Sequence, residues 1–494
     1  MRIISSTRLF CRVAALLAVV ACQSAFAQSS FTAGGVNFAD TLGYTKPRFL
    51  PLAVPDEASV TNKYYVNFSG GSGSTCSQSA PCASLNSVAG KAGTSGGPAY
   101  VYVKGNGYLN ITSGTLNGAA GKEVVIKPWP GDSTPTVWTA QGGCARTAAN
   151  TISASGVHHV IIDGGPDMLI RFKGSGCTSD QNGYTVVVAS NDVTLYRVRI
   201  DAAGSGGPAL GPAVGSGTRQ SNFKFINSEI YGATRYYGVY AGGGTGCTAG
   251  DTSYTNMEFR NNVFRDIDGR GIQLEPRANS DGAIIDGNAF HNIGYNRSGA
   301  QNISSAVQPA SSCGGTTDHV VVSNNIAFDL GGGFARVDYG LSAASNFKII
   351  NNTVYDYANA TPVELASHAV TASSDGYKAE VRNNIFLGPA NGGVFALNRS
   401  GGFVTSDNLC ESGEPCGSSA VASTAANALV SLSTSSSSFL FPKGAAIGSG
   451  LVQSGFQVEY LGKARSAVGS ATDVGAVSAG GLRQSMPPSS VQAN

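Results

Sequence analysis

Six short segments between residues 238 and 395 carry the polar and aromatic side chains that could do chemistry. Apolar and polar residues alternate in them, which is the period of a β-strand with one buried face. The segments are Gly238-Val239-Tyr240, Gly271-Ile272-Gln273-Leu274-Glu275, Ala306-Val307-Gln308, Ala335-Arg336-Val337-Asp338, Pro362-Val363-Glu364 and Gly393-Val394-Phe395. If the valines and Ile272 point inward, one outward face gathers carboxylates, a guanidinium group, amides and aromatic rings. These side chains belong to Tyr240, Gln273, Glu275, Gln308, Arg336, Asp338, Glu364 and Phe395.

This set of side chains suits an acidic or neutral glycan, because aromatic rings stack on sugar rings and amides bond to hydroxyl groups. The carboxylates of Glu275, Asp338 and Glu364 are suitable ligands for Ca²⁺. A cation would neutralise a uronate carboxylate and acidify the adjacent C–H, whose proton a basic side chain then removes. Arg336 is the candidate base or carboxylate clamp, with Arg277 as a helper, and the clamp is the easier role for a protonated guanidinium. The predicted substrate-binding residues are Gln273, Gln308, Tyr240 and Phe395.

Three other interpretations of the same face stay open. The face could be an ordinary solvated sheet with no ligand. It could belong to a glycoside hydrolase that uses two of Glu275, Asp338 and Glu364, whose separation would decide between inversion and retention. It could also belong to a non-catalytic glycan-binding or surface protein. Unsaturated sugar ends would indicate a lyase, reducing ends alone a hydrolase, and neither product a binding protein.

Other polar groups are weaker candidates. One set crowds a single predicted turn and is interpreted as a solvated salt-bridge patch, in which Arg265→Ala should be nearly silent. That patch comprises Arg260, Arg265, Asp266, Asp268 and Arg270. His368 could act as an acid near Glu364, although an exposed loop histidine is the commoner case. Three tyrosines either extend a sugar-binding surface or pack beneath a loop: Tyr231, Tyr236 and Tyr237.

The strands that must position these side chains are indicated by a short sequence phrase that recurs six times. The copies are Asn227-Ser228-Glu229-Ile230, Asn261-Asn262-Val263-Phe264, Gly287-Asn288-Ala289-Phe290, Asn324-Asn325-Ile326-Ala327, Asn351-Asn352-Thr353-Val354 and Asn383-Asn384-Ile385-Phe386. Counted from a degenerate copy at Arg197, the first positions are separated by 30, 34, 26, 37, 27 and 32 residues. Repeats of this size indicate a solenoid, whose units bury their apolar faces against their neighbours. Each phrase follows an alternating run, such as residues 223–226, that is typical of a strand.

A strand, an asparagine-rich turn and another strand describe one coil of a parallel β-helix. The stacked asparagine side chains would bond to one another and to the turn backbone. Composition agrees, because the 494 residues include 66 glycines and only 13% charged residues, and no long amphipathic pattern indicates a helix. We therefore predict an all-β chain with one elongated domain. Its predicted parts are a lead-in or cap over 28–60, the right-handed parallel β-helix over 61–408, a C-terminal cap over 409–480 and a disordered tail over 481–494.

The first 27 residues are predicted to be a signal peptide. Arg2, Arg8 and Arg12 precede an apolar stretch over residues 13–21, and residues 25–27 form an A-x-A cleavage site. Residues 19–22 also resemble a bacterial lipoprotein box, which would place a lipid on Cys22 of an outer-membrane lipoprotein. The main prediction is a secreted or periplasmic protein.

Charge and hydropathy restrict the partners. The chain has 32 Lys and Arg against 30 Asp and Glu, and the leader carries three of the arginines and no acid, so the mature protein is nearly neutral. Near neutrality argues against general nucleic-acid binding. No segment is long enough to span a membrane. We expect a monomer whose partner is a polysaccharide.

Eight cysteines remain after the leader, and an even number in an exported chain indicates disulfides. Proximity predicts two small loop bridges, Cys76–Cys82 and Cys410–Cys416. The pairs Cys144–Cys177 and Cys247–Cys313 could tie adjacent coils, although spacing alone does not prove connectivity. A zinc site is a poor alternative, because no histidine lies at a suitable spacing.

Both ends of the predicted domain resemble a known group of proteins. Tyr64-Tyr65-Val66 with Pro81-Cys82-Ala83-Ser84-Leu85, and residues 461–465 with Asp473-Val474-Gly475-Ala476, are similar to the ends of exported right-handed parallel β-helix proteins of the pectate-lyase-like superfamily. This superfamily contains polysaccharide lyases, including the chondroitinase B-like proteins, together with glycoside hydrolases, uronate epimerases and binding proteins. The resemblance therefore implies the fold more than the activity.

The decisive motifs of that superfamily are absent. The sequence lacks paired aspartates followed by Gly-His-Gly, the Asp-Pro-His-Asp signature of alginate epimerases, and the Lys/Arg motifs of chondroitinase B-like lyases. No catalytic residue is carried over by motif. The expected function is a lyase that cleaves uronate-containing glycan by β-elimination, and its residues are assigned by strand alternation alone.

Overall fold

The computed structural model describes the part of the chain that forms the solenoid. Its described residues are 38, 47–92, 97–111, 116–141, 149–152, 157–176, 183–212, 219–234, 237–242, 253–276, 278–294, 305–309, 317–337, 344–345, 347–357, 363–365, 379–388, 403–411, 416–436, 438–453, 456, 459–461, 464–465 and 469–479. The chain divides into two units, residues 36–482 and residues 1–35 with 483–494. The second of these units, with the predicted signal peptide and most of the predicted tail, lies outside the described residues.

The solenoid is built from three long parallel sheets, here named A, B and C, that the chain visits in that order in each coil. Sheet A contains Asn62–Asn67, Ala99–Lys104, Val124–Pro128, Val160–Asp163, Val193–Tyr196, Lys224–Ile226, Ser253–Arg260, Ser280–Asp286, Thr317–Ser323, Phe347–Ile350, Ala379–Arg382 and Phe403–Ser406, with Arg219–Ser221 and Ala344–Ser345 beside them. Sheet B contains Thr136–Thr139, Ile170–Lys173, Arg199–Asp201, Glu229–Tyr231, Val263–Ile267, Ala289–Ile293, Ile326–Leu330, Thr353–Tyr357, Ile385–Leu387, Leu409–Glu411 and Val421–Ser423. Sheet C contains Asn110–Ile111, Asn150–Ile152, Val186–Val188, Leu210–Pro212, Val239–Gly242, Ile272–Glu275, Ser305–Pro309, Gly333–Val337 and Val363–Leu365. The predicted all-β parallel solenoid is confirmed.

The remaining described elements are short. Leu116–Asn117 pairs in parallel with Val157–His158, and Gly450–Leu451 pairs antiparallel with Ala471–Thr472. One four-residue α-helix covers Ala425–Ala428. Two 3-10 turns cover Leu85–Ser87 and Gly444–Ala446. Within the described ranges, no helix is long and apolar enough to cross a membrane.

The recurring asparagine phrase forms the turn from sheet A to sheet B. Its second asparagine enters a buried ladder, as Asn288 illustrates. The backbone N–H and Nδ2 of Asn288 donate to Oδ1 of Asn325 at 2.8 and 3.0 Å, and Nδ2 also donates to the carbonyl of Phe259 at 2.9 Å. The same pattern links Asn262, Asn288, Asn325, Asn352, Asn384 and Asn408. The ladder satisfies buried polar groups in each of these six coils and so sets their register.

The first residue of the phrase has a different role. In all six copies it has a positive φ of 50° to 68°, a conformation that Asn and Gly tolerate best. At Gly287 a Cβ atom would lie 2.3 Å from Oδ1 of Asn261, so this copy requires glycine on steric grounds as well. The phrase thus pairs one residue that bends the backbone with one that bonds across coils.

The interior is a continuous apolar core between the three sheets. Aromatic rings stack along it from coil to coil, with Phe225 and Phe264 centred 6.2 Å apart, Phe264 and Phe290 5.0 Å apart, and Phe290 and Phe334 6.4 Å apart. Each coil therefore buries its inward side chains against the coils before and after it, as a solenoid requires.

Two segments cover the outside of sheets A and B. Residues 49–54 of the lead-in pack on Tyr100, Tyr102 and Tyr196 of sheet A. Residues 439–441 and 474–477 pack on the outer side of sheet B in its later coils, against side chains such as Val263 and Ile326. Among the residues whose side chains are described, neither apolar cluster includes a residue of sheet C.

Arg48 joins these two covering segments. Its backbone N–H donates to the carbonyl of Tyr460 at 3.3 Å, and its Nη1 donates to the carbonyl of Glu459 at 2.7 Å. Its Nη2 lies 3.1 Å from a carboxylate oxygen of Asp286 in sheet A. The lead-in and the C-terminal segment therefore meet on the solenoid.

Two of the predicted disulfides are present, Cys76–Cys82 and Cys410–Cys416. Both close short loops at opposite ends of the solenoid. The pairs Cys144–Cys177 and Cys247–Cys313 lie outside the described residues and stay predictions.

Candidate functional site on sheet C

The register of sheet C brings five of the predicted site residues into one column. Tyr240 is paired with Gln273, and Gln273 with Gln308. In the next pair of strands Val307 is paired with Ala335, so the residues that follow them, Gln308 and Arg336, lie beside each other. Arg336 is paired in turn with Glu364. Five consecutive coils therefore contribute to one stripe, with neighbouring strands about 4.8 Å apart.

The predicted alternation is confirmed where the side chains are described. Val239, Ile272 and Val307 are fully buried in the core, so the residues that follow them point to the other face of the sheet. Arg277, Asp338 and Phe395 lie outside the described residues. Glu364 is described only as a strand position. The roles predicted for these four residues stay predictions.

A hydrogen-bonded network occupies the middle of the stripe. Arg270 Nη1 donates to Gln273 Oε1 at 2.5 Å and to the Tyr237 hydroxyl at 3.2 Å. Gln273 Nε2 donates to Glu275 Oε2 at 2.7 Å, and the Tyr240 hydroxyl donates to the same oxygen at 2.8 Å. One carboxylate oxygen therefore accepts two hydrogen bonds, which fixes its position on the sheet.

The stripe is less exposed than alternation alone predicts. Gln273 is 3% exposed, Gln308 0% and Arg336 4%, although all three point away from the core. Alternation therefore gives the direction in which these side chains point but not their exposure. For Gln273 the physical reason is visible, because its neighbours in the column and the network partners enclose its amide. Tyr240 and Glu275 are half-buried and form the accessible part of the stripe.

Burial and the neighbouring carboxylate shift the pKa of the tyrosines. The pKa of Tyr240 is raised by burial first and then by the charge of Glu275 and the hydrogen bond to it. The pKa of Tyr184 is raised by burial and then by Tyr237 and Glu275. Both phenols therefore stay protonated at neutral pH and can donate a hydrogen bond or a proton.

Three residues of this cluster stand two positions before their strands, namely Tyr184, Tyr237 and Arg270. The sequence indicates Tyr237 as part of a sugar-binding surface or as a residue packed beneath a loop, and it places Arg270 in the salt-bridge patch. It does not single out Tyr184. The guanidinium of Arg270 lies 5.2 Å from the Tyr237 ring centre, and the rings of Tyr237 and Tyr240 are centred 5.3 Å apart. The signal that could have found them is their shared offset from the strand, since equal offsets stack in a solenoid.

The predicted single salt-bridge patch around Arg260, Arg265 and Arg270 does not exist. Arg260 ends a sheet A strand and forms an ion pair with Glu258 at 3.0 Å, whereas Arg265 lies in sheet B and forms an ion pair with Glu229 at 2.8 Å. Arg270 belongs to the sheet C network. The prediction is wrong because the chain turns twice within these eleven residues, so neighbours in sequence lie on three different faces.

Of the three predicted Ca²⁺ ligands, Glu275 is the only one whose side chain is among those described. Its carboxylate is half-buried, and an oxygen ligand of this kind fits Ca²⁺. Two donors already point at its Oε2, however, so a cation would have to bind through the other oxygen or replace these bonds. Ca²⁺ binding at this face stays a prediction.

Known proteins share the architecture. Residues 213–425 match the family model described as right handed beta helix region. Together with the three parallel sheets, this match defines the chain as a right-handed parallel β-helix protein, and the predicted fold is confirmed.

Solved structures resemble the chain at low sequence identity. A pectate lyase has a TM-score of 0.48 and 16% identity, with 85% of this chain and 97% of that chain covered. A lacto-N-biosidase from Eubacterium ramulus has a TM-score of 0.44 and 12% identity, with 72% and 68% covered. The A-module of a mannuronan C-5 epimerase from Azotobacter vinelandii has a TM-score of 0.39 and 14% identity, with 72% and 97% covered. No curated protein matches the chain by sequence.

Proposed function

We propose that this chain is an exported protein that acts on polysaccharide through the outer face of sheet C, as a lyase of uronate-containing glycan. The observation that supports the proposal is the stripe on five consecutive coils, with its network of Arg270, Gln273, Glu275 and Tyr240. A glycan that runs along the solenoid axis would meet a new strand about every 4.8 Å. Polar groups at that spacing can contact successive sugars.

In β-elimination, a base removes the proton beside the uronate carboxylate and the glycosidic C–O bond breaks as a C=C bond forms. Arg336, with Arg277, is the proposed clamp that neutralises the substrate carboxylate and so acidifies this proton. Arg336 is 4% exposed, so the substrate carboxylate must displace covering side chains to reach it. The protonated hydroxyl of Tyr240 is suited to give a proton to the leaving oxygen.

Glu275 has two possible roles in this scheme. As an accessible carboxylate it can serve as the base, and its hydrogen bond from Tyr240 would then couple the base to the acid. Alternatively it binds Ca²⁺ together with Asp338 and Glu364, and the cation supplies the charge neutralisation. A chelator separates the two roles, because only the second one needs a metal.

A second candidate function is glycan binding without catalysis. The burial of Gln273, Gln308 and Arg336 favours it, because only part of the stripe can contact a ligand without rearrangement. Tyr240 and Glu275 would then serve recognition, one through its ring and hydroxyl and the other as an acceptor for sugar hydroxyl groups.

The test is a screen of the mature protein against acidic and neutral polysaccharides, with and without a chelator. A lyase yields both unsaturated ends that absorb in the ultraviolet and new reducing ends, a hydrolase yields reducing ends alone, and a binding protein yields neither but is retained. We expect Tyr240→Phe, Glu275→Gln and Arg336→Ala to lower turnover at least tenfold. The matched control is Arg219→Ala, at an exposed position of sheet A, which should keep full activity. Full activity of all three stripe variants on a confirmed substrate would place the site elsewhere.

A further inference from the structure

A second polar cluster lies on the outer side of sheet B. We name it the arginine cluster and define it by Arg171, Arg199, Glu229, Tyr231 and Arg265. Register places Arg171 beside Arg199, Arg199 beside Glu229, and Tyr231 beside Arg265. The four strands are consecutive neighbours in sheet B. Met168, three residues before Arg171, and Val263, in the last of the four strands, are both buried in the apolar cluster that contains the C-terminal covering segment.

The buried carboxylate of Glu229 bonds to two arginines of the arginine cluster. It is 0% exposed, its Oε2 accepts a hydrogen bond from Arg199 Nε at 2.7 Å, and its Oε1 accepts one from Arg265 Nε at 2.8 Å. Arg265 is also held by Asp266 at 2.7 Å and lies over the Tyr231 ring at 4.3 Å. A buried carboxylate that accepts a hydrogen bond from the Nε of each of two guanidinium groups fixes the position of both groups.

Arg171 is the unusual member of the cluster. It is half-buried beside Arg199, and among the described residues it forms no hydrogen bond or ion pair. Its Nε is buried without an acceptor. Burial and the charge of Arg199 lower its pKa. A cation in this position is unfavourable by itself, because it loses water and gains a like-charged neighbour. The charge of Glu229 offsets this only in part, and that carboxylate already accepts hydrogen bonds from Arg199 and Arg265.

We propose that the arginine cluster is a second glycan site, in which Arg171 and Arg199 bind a carboxylate or sulfate group of an acidic polysaccharide. Guanidinium groups suit such planar or tetrahedral oxyanions because they offer paired donors. The bound anion would supply the acceptor that Arg171 Nε lacks and offset the repulsion between the two arginines.

Two further observations favour a polymer over a small free anion. The cations come from adjacent coils about 4.8 Å apart, so they follow the solenoid axis as repeated charges follow a linear glycan. The half-buried ring of Tyr231 beside Arg265 offers a flat apolar surface for a sugar ring. Asp201 and Asp266 reduce the net charge nearby, so the surface should select an anion that reaches Arg171 and should not attract polyanions in general.

The arginine cluster lies on a different sheet from the proposed catalytic stripe, so this inference does not depend on the proposed function. Its role is to anchor a polymer, and the measured quantity is affinity. Binding of polygalacturonate, alginate, chondroitin sulfate, neutral galactan and inorganic sulfate is compared by calorimetry for the wild type, Arg171→Gln and Arg171→Lys. Arg219→Gln is the matched control on sheet A.

We expect at least one acidic polymer to bind the wild type and the neutral galactan not to bind through this site. Arg171→Gln should weaken the acidic polymer about tenfold, and Arg171→Lys should retain part of the affinity. Thermal midpoints should not fall in Arg171→Gln, because Arg171 has no hydrogen-bonded partner to lose and its neutralisation relieves the repulsion by Arg199. Arg219→Gln should bind as the wild type does.

Three results would overturn the inference. In the first, Arg171→Gln and the wild type bind the acidic polymer with equal affinity. In the second, the wild type binds no acidic polymer. In the third, Arg171→Gln changes the binding of inorganic sulfate but not of any polymer, which indicates an adventitious ion only. Loss of turnover in the sheet C variants bears on the proposed function alone. Arg171-dependent binding without any turnover would sustain the anchor site while the lyase proposal fails.

Discussion

Replacement of Asn325 by alanine should be among the most destabilising single changes in the solenoid. Asn325 is 0% exposed, and its Nδ2 donates to the carbonyl of Ile285 at 2.9 Å and to Asn352 Oδ1 at 2.9 Å. Its Oδ1 accepts the backbone N–H and Nδ2 of Asn288 at 2.8 and 3.0 Å. Alanine leaves the backbone N–H of Asn288 without this acceptor and removes one hydrogen bond each from Asn288 Nδ2, the carbonyl of Ile285 and Asn352 Oδ1.

Each buried polar group left unsatisfied costs roughly 1–3 kcal/mol, so Asn325→Ala should lower the free energy of unfolding by about 4 kcal/mol. The assay is urea denaturation followed by circular dichroism. The matched control is Asn427→Ala, because Asn427 is exposed in the short helix and its side chain forms no hydrogen bond among the described residues. This control should change the free energy by less than about 0.5 kcal/mol. If both variants unfold within about 1 kcal/mol of the wild type, the hydrogen bonds of the ladder do not stabilise the stack.

Three further predictions follow the same physical reasoning. The sequence alone predicts that Arg265→Ala is silent. The structure predicts that it lowers the free energy of unfolding by about 2 kcal/mol, because it removes one of two charged partners from the fully buried Glu229. An unchanged free energy in urea denaturation would contradict this. His291 has a pKa lowered chiefly by burial, so the unfolded chain binds its proton more readily. Stability should therefore fall as the pH drops below about 6.5, and the loss should be smaller in His291→Gln. The eight cysteines after the leader should be oxidised in exported protein, and mass spectrometry that finds several free thiols would refute this.

The coil register could be predicted from the sequence because each asparagine phrase encodes two physical requirements at adjacent positions. The first residue must tolerate a positive φ, and the second must offer both a donor and an acceptor to the next coil. Few residue types meet either requirement, so the pattern is specific. The positions of Val239, Ile272 and Val307 in the core then follow from strand alternation.

The candidate site was less predictable because alternation gives direction but not depth. It places Gln273 and Gln308 on the outer face, but their burial depends on which neighbouring side chains close over them. Arg270 lies just before the strand Ile272–Glu275, and its side chain turns along that strand to reach Gln273. No local pattern in the sequence states where that side chain points. The pairing of Arg199 and Arg265 through Glu229 spans two coils and is likewise a product of stacking.

The contact of Arg48 with Glu459 joins positions 411 residues apart in the chain. Glu459 is synthesised 411 residues after Arg48, whereas each coil between them packs only on its neighbours in the sequence. The coils can therefore form progressively as the chain emerges, but this contact can form only after Glu459 has been synthesised. A chain truncated before Glu459 would keep its coils and leave the apolar side chains of sheets A and B less protected.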